Sequence, residues 1–390
     1  MKKFLVLVTV TCCVSCLYGI TPTQLRNQVV DNVTLSPIEA RIEAEKARQD
    51  AENSLPGPEL EFEHLWGRSE TKWNIGVTQR FEWPEVYGAR KRLTEQNART
   101  AEFIRQAARL EYAVEATKIL VKLAYEQKRL NVLDSLLSNL MSIDRELETA
   151  LSRGIVTILD KKKSAIEIAN LEMEREKVIE NQQLLVNELS ALGSTDINAD
   201  GVDWLDLPMV PTLSTLPYYL AQIPSDPNLA LEKCRRSSAE LDVEVARKST
   251  LPGFGVGYRH AYEERTHFDG FAISVELPTW GRKKALIAAQ KAVELSGLEY
   301  DTQEKICRAR IESEFRTAQK LQSTVNRLRN QGVDGSYMAL LKEALKVGEI
   351  TMLTYLQEQN YFRETTLGLL DIEEQYVLLL VSLNRYTLLD

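Results

Sequence analysis

Two pairs of alternating apolar and polar runs, each followed by very long proline-free stretches, predict a mainly α protein with a small β part. A third observation sets the architecture: landmarks recur in the same order at almost one spacing, so the chain reads as a duplicated strand-hairpin plus long-helix unit. Leu55-Pro56-Gly57 returns as Leu251-Pro252-Gly253, 196 residues later. Trp83-Pro84 with Gly88-Ala89-Arg90-Lys91 is echoed by Leu277-Pro278 with Gly281-Arg282-Lys283-Lys284, and Pro84 lies 194 residues before Pro278. Ala150-Leu151-x-x-Gly154-x-x-Thr157-x-Leu159 matches Ala344-Leu345-x-x-Gly348-x-x-Thr351-x-Leu353, again 194 residues apart. Three ordered landmarks at a shared offset are the signature of an internal repeat.

From the N-terminus, Lys2 and Lys3 precede the apolar run Phe4 to Val10, and small residues follow to Gly19. That is the layout of a secretory signal peptide over residues 1–19, too short for a stable membrane span. Val14-Ser15-Cys16 fits a second interpretation, a degenerate lipoprotein signal with Cys16 as the lipid anchor.

The first repeat is expected over 20–192. It holds a modest helix (37–54), a β-hairpin (58–84) and long helices over 90–152 and 157–192. Residues 193–227, rich in Asp, Pro, Gly and Thr without a clear period, predict an irregular connector. The second repeat, 228–390, predicts a helix (228–250), a hairpin (253–278) and long helices over 282–347 and 351–388. Each longer helix would reach about 90 Å at 1.5 Å rise per residue. Leu130, Leu133, Leu137, Leu140, Leu147 and Leu151 follow coiled-coil spacing, with Val132, Leu136 and Ile143 on an offset stripe. Two stripes imply neighbours on two sides.

Side chains alternate across a strand, so each hairpin run has one apolar and one hydrated face. Leu60, Phe62, His64 and Trp66 oppose Glu59, Glu61 and Glu63. In the next run Trp73, Ile75, Val77, Phe81 and Trp83 oppose Asn74, Gly76, Thr78, Arg80 and Glu82. The second copy sets Phe254, Val256, Tyr258 and Tyr262 against Gly255, Gly257 and Arg259. It also sets Phe271, Ile273, Val275 and Leu277 against Ala272, Ser274 and Glu276. A soluble sheet with one buried face alternates in the same way. Strands of this length with terminal aromatics also suit a tilted outer-membrane crossing, and the adjoining long helices favour that setting. Two hairpins supply too few strands to close a membrane barrel, whereas three copies supply twelve and remove every edge.

Composition narrows the function classes. Hydrophobic content of 44% argues against disorder and against a polytopic helical membrane protein. A net charge of −8 without a basic patch argues against nucleic acid as a partner. Cys234 and Cys307 are too few for a disulfide scaffold. No phosphate loop or nucleophile elbow is present, so no enzyme is expected. His64, His260 and His267 lie in or beside the hairpins without zinc-site spacing, so neither metal nor cofactor is expected.

Together the duplication, the two Leu-Pro-Gly junctions and the Gly-centred helix turns resemble the TolC family of outer-membrane factors over the whole mature chain. The two-hairpin layout looks most like its cobalt-zinc-cadmium and copper resistance branch. The resemblance implies a homotrimer: a twelve-stranded β-barrel among outer-membrane lipid, continued by an α-helical barrel through the periplasm. It implies a passive exit duct, supplied by an inner-membrane pump through a periplasmic adaptor. The adaptor-docking tips would be Arg153, Gly154, Ile155, Val156 and Thr157, with Val347, Gly348, Glu349, Ile350 and Thr351. Gate candidates are Asp160, Thr354, Gln357 and Glu358. Glu61, Glu63, Arg80, Glu82, Arg259 and Glu276 would line the barrel lumen. The rival interpretation is a periplasmic or surface coiled-coil protein without transport activity.

Overall fold

The computed structural model describes residues 22–32, 35–66, 71–193, 211–263, 265–277, 280–330 and 336–388. The expected signal segment and Cys16 lie outside the described residues, as do residues 194–210 of the connector. The elements run α1 (Pro22–Asn32), α2 (Ser36–Asn53), β1 (Glu59–Trp66), β2 (Thr71–Phe81), α3 (Pro84–Ser152) and α4 (Ile158–Gly193). After α5 (Leu216–Leu220) and a 3₁₀ turn (Ile223–Ser225) come α6 (Pro227–Lys248), β3 (Gly253–Glu263) and β4 (Thr266–Glu276). The chain continues with α7 (Trp280–Asn330), α8 (Ser336–Val347), α9 (Met352–Leu383) and a last 3₁₀ turn, Arg385–Thr387. No described helix is long and apolar enough to cross a membrane.

Several boundaries differ from the sequence-based expectation for identifiable reasons. The first long helix starts at Pro84 rather than near residue 90, because proline's fixed φ and missing N–H suit the first helical turn. The helix expected over 282–347 is described as α7 and α8, and residues 331–335 between them lie outside the described residues. The helix expected to 388 stops at Leu383, followed by the 3₁₀ turn. The connector was expected to be irregular, yet it holds α5 and its 3₁₀ turn, and α1 was not foreseen.

The chain forms two compact units. One comprises Leu35–Ala108 and Leu220–Arg310. It contains α2, both hairpins, α6 and the first parts of α3 and α7. Its sheet is antiparallel with order β1-β2-β3-β4, so the hairpins join through β2 and β3. Arg105 on α3 clasps Glu39 on α2 through Nε and Nη2 at 2.8 and 3.0 Å. Asp226 caps α6 by accepting from the Asn228 N–H at 2.8 Å, with Pro227 at the first helical position. Its carboxylate is buried, with Cys307 Sγ at 3.5 Å and Arg310 Nη2 at 3.6 Å on α7.

The other unit takes α1, Arg109–Tyr219 and Ile311–Asp390. Leu133, Leu136, Leu140, Ile143 and Leu147 of α3 form its central seam, against Leu171 of α4, Leu341 of α8 and Tyr355 of α9. Their spacing alternates three and four, the heptad seam. The expected two stripes therefore share one core: Leu136 and Ile143 enter the seam, while Leu130, Val132 and Leu137 pack at its flanks. A second cluster seats Leu25 and Val29 of α1 against Ile119, Leu123 and Leu189. Gly193 ends α4 beside Val29, where a Cβ would come 3.4 Å from the Val29 Cα.

Candidate functional site

The first candidate feature is the sheet. Its register aligns Glu61, Gly76, Arg259 and Gly270 in one cross-strand row. Gly76 carries no side chain there, so Arg259 lies across it and donates from Nη2 to Glu61 Oε2 at 2.9 Å. On the same face Arg80 pairs with Glu59 at 2.8 Å, and Asn74 donates to Glu63 at 2.5 Å. Glu276 accepts from Arg282 at 2.9 Å. Five of the six expected lumen residues thus share one face. Glu82 lies just past the end of β2 at Phe81: it pairs with Arg90 on α3 at 2.5 Å, and its backbone N–H donates to the Tyr87 hydroxyl. Pro84, which opens α3, follows two residues later. These pairs are largely solvent-exposed and worth about 0–1 kcal/mol each, so they fix side-chain placement more than stability.

The polar face is crowded in its middle. A Cβ on Gly257 would stand 2.6 Å from Thr78 Oγ1 and 2.7 Å from the Val77 carbonyl oxygen. One on Gly255 would stand 2.4 Å from Ser274 Oγ. Glycine is thus required by close approach between β2, β3 and β4.

The opposite face is apolar and, among the described residues, uncovered. Phe271 is 89% exposed and Ile273 81%, and Leu60, Phe62, Val77 and Tyr258 are exposed beside them. Trp73 and Tyr262 stack near the hairpin-turn end, their ring centroids 5.9 Å apart. Phe81 and Phe254 stack near the other end at 5.5 Å. Among the described residues β1 and β4 each pair with one strand only, leaving two open edges. A contiguous apolar face of this kind marks a surface that water does not normally cover.

The second feature is a pair of helix reversals, both anchored in the same unit's core. Gly154 and Gly348 adopt φ of +72° and +81°, a left-handed region that glycine enters without a Cβ clash. The Gly154 N–H donates to Leu151 O at 2.9 Å and the Ile155 N–H to Ala150 O at 3.0 Å. The Gly348 N–H to Leu345 O and Glu349 N–H to Ala344 O repeat the pattern at 3.2 and 2.9 Å. Both are Schellman caps, which satisfy the last carbonyls of α3 and α8. Val156 and Ile350 then pack against the heptad core, whereas Ile155 points away and is 71% exposed. Arg153, Val347 and Glu349 are exposed as well.

Thr157 and Thr351 open the return helices. Thr351 Oγ1 accepts from the Thr354 N–H at 3.2 Å. Thr157 and Asp160 form a reciprocal box: Asp160 N–H donates to Thr157 Oγ1 at 3.3 Å, and Thr157 N–H to Asp160 Oδ2 at 3.2 Å. The Thr157 hydroxyl also donates to that carboxylate at 2.7 Å, and this bond with the backbone one holds the Asp160 carboxyl below its ordinary range. Two gate candidates, Asp160 and Thr354, are therefore occupied with local capping. Of the others, Gln357 is exposed and Glu358 accepts from the Tyr337 hydroxyl at 2.6 Å. No sequence pattern had pointed to Tyr337.

Comparison with known proteins adds the fold's relatives. No protein-family model matches the chain, and no curated protein matches it. Solved structures do. A membrane protein from Pseudomonas aeruginosa superimposes with a TM-score of 0.73 at 17% identity, covering 94% of this chain and 92% of that one. The MtrE outer-membrane channel of Neisseria gonorrhoeae, in its open state, gives 0.71 at 15%, over 95% and 89%. The outer-membrane protein VceC of Vibrio cholerae gives 0.70 at 16%, over 94% and 95%. At these identities the likeness is one of fold, and it extends over nearly the whole of each chain.

Proposed function

We propose that this chain is an outer-membrane efflux duct protomer of the TolC type, three copies of which close their sheets into a twelve-stranded barrel. The observation that carries the proposal is the sheet itself: an uncovered apolar face, a charged opposite face, and an open edge at each end. In lipid an open edge leaves backbone groups unsatisfied at several kcal/mol each, so such a sheet must close. Four strands fall short of the smallest membrane barrels. Copies joined edge to edge put Phe271 and Ile273 against lipid and Glu61, Arg259 and Arg80 toward a watery lumen. The shared fold with solved outer-membrane channels supports the same assignment.

In this duct the long helices form the periplasmic tunnel, and solute passes through without chemical change. The Gly154 and Gly348 reversals are the tips that meet a periplasmic adaptor, itself joined to an inner-membrane pump that supplies the energy. Arg153, Ile155, Val347 and Glu349 present exposed side chains for that contact, while Gly154, Val156, Thr157, Gly348, Ile350 and Thr351 hold the turns in shape. At the gate, Asp160 and Thr354 act as fixed caps, and Gln357 and Glu358 stand one helical turn further along. Fractionation tests the proposal. The protein should sediment with outer membranes and run as a trimer in mild detergent; a monomer recovered in detergent-free buffer would overturn it.

A further inference from the structure

The β3–β4 hairpin brings together two of the chain's three histidines. His260 stands near the end of β3 and His267 near the start of β4, and Glu263 pairs with Thr266 to close the turn between them. The register sets Tyr262 opposite His267 and His260 opposite Asp269, so all four side chains share the apolar face. His260 Nδ1 lies 2.7 Å from Asp269 Oδ1. An ionised carboxylate can only accept, so this nitrogen carries a proton, and in the neutral ring the lone pair is on Nε2. That lone pair faces His267 Nδ1 at 3.3 Å. Ring contacts fix the pair in place: Trp73 lies 5.6 Å from His260 and Tyr262 lies 5.0 Å from His267, between centroids. The Tyr258 hydroxyl also donates to Asp269.

Three properties of this cluster match what a transition cation requires. Imidazole nitrogens suit Zn²⁺, Cu²⁺ and Ni²⁺. Two nitrogens each about 2.0–2.1 Å from a tetrahedral metal stand roughly 3.3–3.4 Å apart, the separation of the facing nitrogens here. A ligating histidine also commonly gives its far N–H to a carboxylate, which sets its tautomer and aims its ring, as Asp269 does for His260. Among the described residues no group of three or more His, Cys, Asp or Glu side chains could hold a metal. The protein therefore supplies two ligands and water the rest.

We infer that His260 Nε2 and His267 Nδ1 form a two-histidine site for a divalent transition cation, with Asp269 as the positioning residue of His260. The cation sits between the two facing nitrogens. With its proton on Nε2, His267 presents the Nδ1 lone pair, so two neutral rings bind the ion without releasing a proton. The ion would tie β3 to β4 beside their turn. The site belongs to one hairpin of one chain and stands or falls independently of the proposed duct.

The test uses the full mature chain in detergent, without a histidine tag, titrated with Cu²⁺ below one equivalent. Electron paramagnetic resonance should show superhyperfine coupling to two imidazole nitrogens. His260→Ala and His267→Ala should each reduce the coupling to one nitrogen and weaken binding at least ~10-fold. Asp269→Asn should weaken binding about 10-fold while keeping both nitrogens, as a positioning role requires. His64→Ala should leave spectrum and affinity unchanged. A wild-type spectrum in either histidine variant would overturn the site, as would an equal loss in His64→Ala. Should His260→Ala not assemble, His267→Ala, on the open edge strand, decides the matter alone.

Discussion

At the scale of single residues, the polar face of the sheet shows how closely backbone approach dictates composition. Gly257 sits where a Cβ would meet the Val77 carbonyl oxygen at 2.7 Å, a backbone atom that cannot swing aside, whereas Gly270 faces open space. Gly257→Ala should therefore lower the yield of assembled protein and its thermal midpoint, while Gly270→Ala should leave both unchanged, altering stability by no more than about 0.5 kcal/mol. Yield in membrane fractions and denaturation in detergent read both. Asp160 supplies a pH effect with a definite sign. Its carboxyl is held low by Thr157, so its contribution to the turn is present above the ordinary aspartate range near ~3.9 and is lost as pH falls through the depressed value. Amide exchange at Thr157, corrected for intrinsic rates, should lose protection below about pH 4, and Asp160→Asn should remove that dependence. Period-two alternation alone placed five of the six charges expected to line a lumen on one face, and the sixth, Glu82, follows the end of β2. The approach of His260 to His267 was not legible from spacing, because it is made by hairpin register; a turn fixed between Glu263 and Thr266 would have revealed it.

Among the elements, the strands divide an apolar face from a polar one, and the two helix reversals repeat one geometry. Ile273 and Ala272 are neighbours on β4, one on the apolar face and one on the polar face. If the apolar face meets lipid, Ile273→Lys costs about 2–4 kcal/mol near the midplane and should abolish membrane assembly, while Ala272→Lys should assemble. Outer-membrane recovery of the two variants measures this, and equal recovery would mean that neither face meets lipid. Helix reversals were legible because Gly followed three residues later by Thr or its equivalent is how a helix stops and restarts, and both turns do so with matching hydrogen bonds. The short helix α1 escaped notice because its two anchoring residues, Leu25 and Val29, become a core stripe only once α3 and α4 stand beside them.

For the whole molecule, the central claim is closure. Among the described residues an apolar face is left uncovered and two strand edges are left unpaired, and the proposed joining of successive copies would resolve both. The sequence foretold the element order because it is written twice. The proposed closure would depend on surfaces between chains, which leave in the sequence only the indirect trace of too few strands per copy. The most direct measurement is a cross-link from edge to edge. With Cys234 and Cys307 replaced, Phe62→Cys on β1 is combined in turn with cysteines at positions from Phe268 to Val275 on β4, and outer membranes are treated with a short bismaleimide. At least one β4 position should yield covalent trimer, with the ladder stopping at three chains. No cross-link at any position, or a ladder running past three, would contradict a closed three-chain barrel.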